Sequence, residues 1–202
     1  QITYPKIEII VVDNASRESP KVAIEQQFPN VKVIESDTNL GFAGGNNLGI
    51  SIAKGSFCLF LNNDTEVEPS FLEPLVNAMK DNPKMGIAAA KLRYFDAKDI
   101  LQFAGSSAMH AWKIQSFAFG FGEKDKGQWD LFKETALAHG AAMLVRMSVI
   151  REVGLMPLAY FLYYEEIDWC EQIKKAGYSI YFVPKSLVWH KESRSIGKKS
   201  PL

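Results

Sequence analysis

Cysteine, histidine and net charge are all scarce. Two cysteines and three histidines occur in 202 residues, and 23 basic side chains balance 23 acidic ones. Cys58 and Cys170 lie inside apolar or helical patterns, not in paired spacings, so a disulfide framework or zinc knuckle is not expected and a reducing cytoplasm fits. Zero net charge removes any overall pull toward nucleic acid or anionic lipid. Long apolar runs are missing too: Phe57 to Leu61 is among the longest, far short of the roughly 20 residues that span a bilayer. No basic segment followed by an apolar stretch opens the chain, so no secretory leader is expected. What remains is a soluble chain, 47% hydrophobic, long enough to bury roughly 70% of its unfolded surface as one domain.

The hydrophobic pattern alternates. Ile7 to Val12 (IEIIVV) is too short and too β-branched for a helix and reads as a strand covered on both faces. A short helix follows from Pro20 to Phe28, with Ser19 as its cap, and a strand from Val31 to Ile34. Asn39 to Gly45 (NLGFAGG) reads as a glycine-rich turn leading into a helix stopped by Gly55. Phe57 to Leu61 (FCLFL) is a third buried strand. A helix near Pro69 to Lys80 and a strand from Gly86 to Leu92 come next. This rhythm predicts an α/β fold with a Rossmann-like, open, mostly parallel sheet flanked by helices. From Tyr94 to about Glu134 the periodicity loosens into an irregular or antiparallel excursion. Order returns with Gly140 to Val145, helices over 147–153 and 165–176, a strand from Tyr178 to Val183 ending before Pro184, and the segment Leu187 to His190. No repeat or linker divides the chain.

In open α/β sheets, ligands bind beyond the carboxyl ends of the strands. Asp13 follows IEIIVV and Asn62-Asn63-Asp64 follows FCLFL, which gathers oxygen ligands at one sheet edge. Asp and Asn also start turns and cap helices, and for either site alone that reading serves as well. The acids Glu165, Glu166 and Asp168 open the strongest helix, where carboxylates favour the macrodipole. Glu165 and Asp168 share a face there, and Glu166 points about 100° away from Glu165. The glycines at 41, 44, 45 and 49 do not spell a dinucleotide fingerprint.

The strings IEIIVVDNAS, NLGFAGGNN, LFLNNDTEV, GAAMLVR and FLYYEEIDWCEQIKKAGYSIYFVP, ending in VWH, cover nearly the whole chain. In this order they resemble inverting glycosyltransferases of family 2, which have the GT-A fold, and among these the rhamnosyltransferase-like bacterial members. The resemblance implies a single catalytic domain whose residues 1–93 bind the nucleotide-sugar and whose residues 94–202 bind the acceptor. Asp13 then accepts a hydrogen bond from the base, Gly41 allows close backbone approach, and Asn39 and Asn46 hold their loop near the nucleotide. The family's Asp-x-Asp metal motif falls on Asn62-Asn63-Asp64, whose first acid is Asn. Asp64 becomes the main ligand of Mg2+ or Mn2+, with Asn62 and Asn63 nearer the ribose and phosphates. His190 completes the metal site, against the alternative of a satisfied, half-buried histidine beside Trp189. His139 is better read as supporting or structural, and His110 has no such context. The general base falls on Glu166, kept ionised by the helix N-terminus, with Asp168 in reserve.

The reaction so implied is transfer of a hexose such as rhamnose, with inversion, from a TDP-, UDP- or GDP-linked donor to a glycan or lipid-linked acceptor. It belongs to polysaccharide or cell-envelope glycan biosynthesis, at the cytoplasmic side of a membrane. Aromatics from Phe117 to Trp129 form the expected acceptor region. Basic residues Lys191, Arg194, Lys198 and Lys199 are expected to close over the diphosphate or touch an acidic lipid surface as a peripheral membrane contact, or to be a solvated end. Relative to the family, QITYPKIEIIVVDNAS matches a second strand. A missing first strand and helix would leave Ile9 and Val11 without a neighbour, and activity impaired or rescued by a homodimer. A nucleotidyltransferase would need a basic, glycine-rich loop after its first strand, and none is present. A catalytically silent sugar-nucleotide-binding domain stays open as the alternative.

Overall fold

A computed structural model describes residues 2–109 and 116–191. His110, Arg194, Lys198 and Lys199 lie outside the described residues. Strand β1 (Ile9–Asp13), helix α1 (Lys21–Gln27) and strand β2 (Val31–Glu35) form a strand–helix–strand unit whose two strands pair in parallel, Ile9 opposite Val31 and Asp13 opposite Glu35. Helix α2 (Gly41–Ile52) leads to β3 (Phe57–Leu61), β4 (Thr65–Val67), α3 (Leu72–Asp81) and β5 (Met85–Tyr94). The excursion contributes β6 (Leu101–Phe103) and β7 (Lys133–Glu134). Strand β8 (Ala142–Arg146), α4 (Met147–Val153), α5 (Glu165–Lys175) and β9 (Ser179–His190) complete the order.

The α/β layering is as expected, but the pairing is mixed. A two-stranded β1-β2 sheet accompanies a seven-stranded sheet of order β3-β8-β5-β9-β4, with β6 on β5 and β7 on β9. Among the described residues of the larger sheet, only β5 and β9 run parallel. The reason is connectivity. Parallel neighbours need a crossover, whereas a strand returning from an irregular excursion can insert in the opposite sense, and β8 does so between β3 and β5.

Burial also departs from the uniform apolar reading. Met85 to Leu92 of β5 is buried throughout, Ala88, Ala89 and Ala90 completely. Strands β1 and β3 are mostly half-buried, with Ile9 44% and Leu61 38% exposed. Among the described residues each of these two has a strand partner on one edge only, β2 and β8 respectively, so Ile9 and Val11 have a strand neighbour there on one side, in Val31 and Val33. A run of apolar residues does not reveal how many layers cover it. The glycine-rich segment is likewise not a turn before a helix but the first turn of α2 itself, which starts at Gly41.

Strand β9 continues through Pro184, where the sequence pattern ends a strand. Its register against β5 jumps from Ala90–Val183 to Lys91–Leu187. The extra residues form a bulge that accommodates a proline unable to donate a ladder hydrogen bond. The core closes over this pair: Trp169 of α5 is fully buried, meets Phe60 edge-on at 5.6 Å, and donates its indole N–H to Gly154 O at 3.1 Å. Cys58 and Cys170 are both free, and burial pushes their thiols up to about 11 and about 12.

An ionic cluster absent from the sequence reading anchors the excursion. Lys91, buried on β5, lies 3.0 Å from Asp125 Oδ2 and also meets Asp130. Arg93 Nε and Nη2 donate to the same Asp125 oxygen at 2.8 and 2.5 Å. Burial by itself raises the Asp125 pKa, but the Gly127 N–H, Lys91 and Arg93 outweigh it and hold the carboxyl down at about 2. Such a depressed carboxyl adds stability above its unfolded value of 3.8 and loses it as pH falls through about 2. Removing its charge leaves two cations facing a buried position. Asp125→Asn is therefore expected to lower unfolding free energy by about 3–5 kcal/mol, read as a shift of the urea midpoint at neutral pH.

Candidate active site

The candidate residues cluster where strand ends meet the starts of α2 and α5. Asp13 ends β1, is 6% exposed, and accepts the Ser16 N–H on Oδ1 at 2.9 Å. It thus shapes its own turn. The next residue, Asn14, which the sequence reading passed over, ties β1 to α2. Its Oδ1 accepts the Leu40 N–H at 2.9 Å, and its Nδ2 donates to Gly41 O at 3.0 Å and Asn39 Oδ1 at 3.1 Å. Asn39 Oδ1 also accepts the Gly41 N–H at 3.0 Å. Asn39 and Gly41 are therefore locked together at the end of β1.

Gly41 has φ +71°, and a β-carbon there would stand 2.3 Å from Phe161 O. Only glycine meets both demands. The contact brings the 155–164 segment against the start of α2, and the Phe42 N–H donates to Phe161 O at 3.3 Å. Asn47 holds the same segment through Met156, donating to its O at 2.9 Å and accepting its N–H at 3.1 Å. Asn46 donates to Phe42 O within its own helix at 2.9 Å. The long-range tie thus comes from Asn47, the neighbour of the residue singled out by sequence.

Asn62, Asn63 and Asp64 form the turn between β3 and β4. The Asn62 N–H donates to Ala141 O at 3.0 Å, and the Lys191 N–H donates to Asp64 O at 2.9 Å. Thr65 pairs with His190, so the turn is held against the end of β9. There His190 Nε2 stands 3.3 Å from Asp64 Oδ1, a buried oxygen with no hydrogen-bond partner. On its far side His190 Nδ1 is 3.0 Å from Gln102 Oε1. The histidine is buried, but not satisfied on both nitrogens.

His139 packs edge-on against His190, with ring centroids 5.7 Å apart. Its Nδ1 accepts the Ala141 N–H at 3.1 Å, and burial, with His190 beside it, pushes its pKa down to about 4. It is a neutral wall. Next to it, the position of a Gly140 β-carbon lies 3.2 Å from Phe42 Cζ and 3.8 Å from Glu166 Cδ, so Glu166 lies beside the residue that follows His139.

Glu166 departs from the expected electrostatics. Burial, assisted by the Glu165 carboxylate, raises its pKa to about 6 against the opposing pull of its own N–H; desolvation outweighs the helix N-terminus. Glu165 is buried, with Oε2 unpaired. Asp168 accepts from Gln172 Nε2 at 3.1 Å along the helix. Tyr163 and Tyr164, at φ +69° and +70°, turn the chain sharply into α5. The aromatics Phe119 and Trp129 stack at 5.4 Å with Lys133 over both rings, while Phe117 and Phe121 are exposed.

A family profile described as glycosyl transferase family 2 matches residues 1–154. The chain is 23% identical to N-acetylglucosaminyl-diphospho-decaprenol L-rhamnosyltransferase of Mycobacterium tuberculosis, over 97% of this chain and 70% of that one. It is 25% identical to the low-salt glycan biosynthesis hexosyltransferase Agl10 of Haloferax volcanii, over 86% and 55%. Among solved structures it is similar to GalNAc-T7 with UDP, GalNAc and Mn2+, with a TM-score of 0.74, 17% identity and coverage of 91% and 37%. It is also similar to the mannosyltransferase PcManGT from Pyrobaculum calidifontis in complex with GDP-Man and Mn2+, with a TM-score of 0.67, 16% identity and coverage of 94% and 50%. These likenesses establish the GT-A fold.

The Gly41 contact generates a test. Gly41→Ala combines left-handed strain with a clash against Phe161, and is expected to destabilise by about 1–3 kcal/mol in urea unfolding. Gly49→Ala, whose β-carbon would meet Val12 Cγ2 at 3.4 Å, is expected to perturb it less.

Proposed function

The chain belongs to glycosyl transferase family 2, and on that premise we propose that it transfers a sugar with inversion from a nucleoside-diphosphate donor to a hydroxyl of a glycan or lipid-linked acceptor. The observation that carries this reading is a run of neighbours: Glu166, a carboxylate with a raised pKa, lies beside Gly140, and the preceding His139 packs against His190 of the unsatisfied Asp64–His190 pair. The named activities of its rhamnosyl- and hexosyltransferase relatives agree with a role in cell-envelope or polysaccharide assembly. No helix among the described residues is long and apolar enough to cross a membrane.

The residues present fit a hard divalent cation. Asp64 Oδ1 is buried without a partner, and His190 Nε2 faces it; carboxylate oxygen and imidazole nitrogen suit Mn2+, and carboxylate oxygen suits Mg2+. Among the described residues no three His, Cys, Asp or Glu side chains converge; in this reading Asp64 and His190 would hold the cation together with donor phosphates and water. A bound cation supplies neutralisation of the departing diphosphate. Asp13 offers an acceptor to the base, Asn39 and Gly41 set the backbone beside the nucleotide, and Asn62 and Asn63 border the ribose and phosphates.

Glu166 performs the proton transfer. The acceptor oxygen forms a bond to the anomeric carbon as the bond from that carbon to the diphosphate breaks, and the hydroxyl proton passes to the Glu166 carboxylate. A carboxyl with a pKa of about 6 is still mostly ionised at neutral pH and is a stronger base than an ordinary glutamate. Asp168, bonded to Gln172, steadies the same helix turn.

Glu166→Gln keeps shape and removes the base, so kcat is expected to fall about 10²–10⁴-fold with nucleotide binding retained. In the wild type, kcat is expected to fall as pH drops through about 6, because only the ionised form accepts the proton. Full transfer by Glu166→Gln sinks the assignment. Calorimetry with TDP, UDP and GDP, with and without Mn2+, paired with transfer assays, tests the rest. Binding without transfer by the wild type supports a silent nucleotide-sugar-binding domain instead.

A further inference from the structure

The residue that decides how His190 presents itself lies in the segment where the sequence pattern is weakest. Gln102, on β6, is 4% exposed, and its Oε1 faces His190 Nδ1 at 3.0 Å. A carbonyl oxygen only accepts, so the ring must place a proton on Nδ1. In the neutral ring Nε2 then keeps its lone pair, facing Asp64 Oδ1 3.3 Å away. His139 does not compete for this role, since its Nδ1 is engaged by the Ala141 N–H and its ring meets His190 edge-on.

We propose that Gln102 is a positioning residue that holds the His190 proton on Nδ1, so that Nε2 and Asp64 Oδ1 together form a ready cation site. The proposal rests on the metal reading given above and extends it to a residue that touches neither substrate nor cation. Without the amide, a neutral His190 has an unpaired buried N–H on one side and an unpaired carboxylate oxygen on the other. The proton then moves to Nε2 and donates to Asp64. That tautomer satisfies both groups and closes the site, since a cation must first displace the proton. Burial strengthens the effect: His190 is 6% exposed, and an unsatisfied donor there has little water to turn to.

Two measurements test this in the full chain. Nitrogen-15 NMR of the metal-free wild type, in mildly alkaline buffer, is expected to show His190 protonated on Nδ1; a proton on Nε2 overturns the proposal whatever any variant does. Mn2+ affinity, measured by water-proton relaxation with UDP, GDP or TDP present, is expected to weaken roughly 10–100-fold in Gln102→Leu. Gln102→Glu, which keeps an acceptor toward Nδ1, is expected to retain it. Equal Mn2+ affinity in the wild type and a folded Gln102→Leu overturns the positioning role alone. Failure of the wild type to bind Mn2+ under any of these conditions overturns the metal reading, and the role of Gln102 with it.

Discussion

The parallel pairing of β5 with β9 is the constraint on which the rest of the molecule depends. Met85 to Tyr94 and Ser179 to His190 lie far apart in sequence, yet they run side by side through the centre of the larger sheet. Their inner residues are small or apolar and almost wholly buried, which lets α3 and α5 pack closely; a β-carbon on Gly86 would come within 2.8 Å of Ile173. The bulge at Pro184 then shifts the register so that the last residue of β9 arrives opposite Tyr94 and Thr65. That delivers His190 to Asp64. The chemistry at the sheet edge is set by a packing decision made in its middle.

Around this frame, buried charge is handled in two different ways. At Lys91, Arg93, Asp125 and Asp130 the cations and anions meet, and the cluster fixes the excursion from which β6 and Gln102 come. At Asp64 and at the start of α5 the groups are left incomplete: Asp64 Oδ1 and Glu165 Oε2 are buried and unpaired, and Glu166 has a raised pKa. A buried carboxylate oxygen without a partner is unfavourable, and the proposed cation at Asp64 would relieve that cost there.

Much of this was legible in the residues. Strand Phe57–Leu61 and helix Met147–Val153 have the bounds that their apolar patterns imply, because short β-branched and apolar runs bounded by polar turns leave little choice. The strings carrying the family resemblance also contain Asp13, Asp64, Glu166 and His190, the residues on which the proposed function rests. Gln102 and Asn47 carried no comparable signal. A glutamine in a loosely patterned stretch and the second of two asparagines acquire meaning only from partners 88 and 109 residues away.

Local sequence by itself determined the alternation of strands and helices, the residue types at strand ends, and the acids that open α5. These depend on periodicity and capping, which act within a few residues. Tertiary structure alone decided the antiparallel insertion of β8, the one-sided pairing of β1 and β3, the raised rather than lowered pKa of Glu166, and the placing of Gln102 behind His190. Each of these depends on what is packed alongside, since desolvation and hydrogen bonding are set by neighbours in space rather than in sequence.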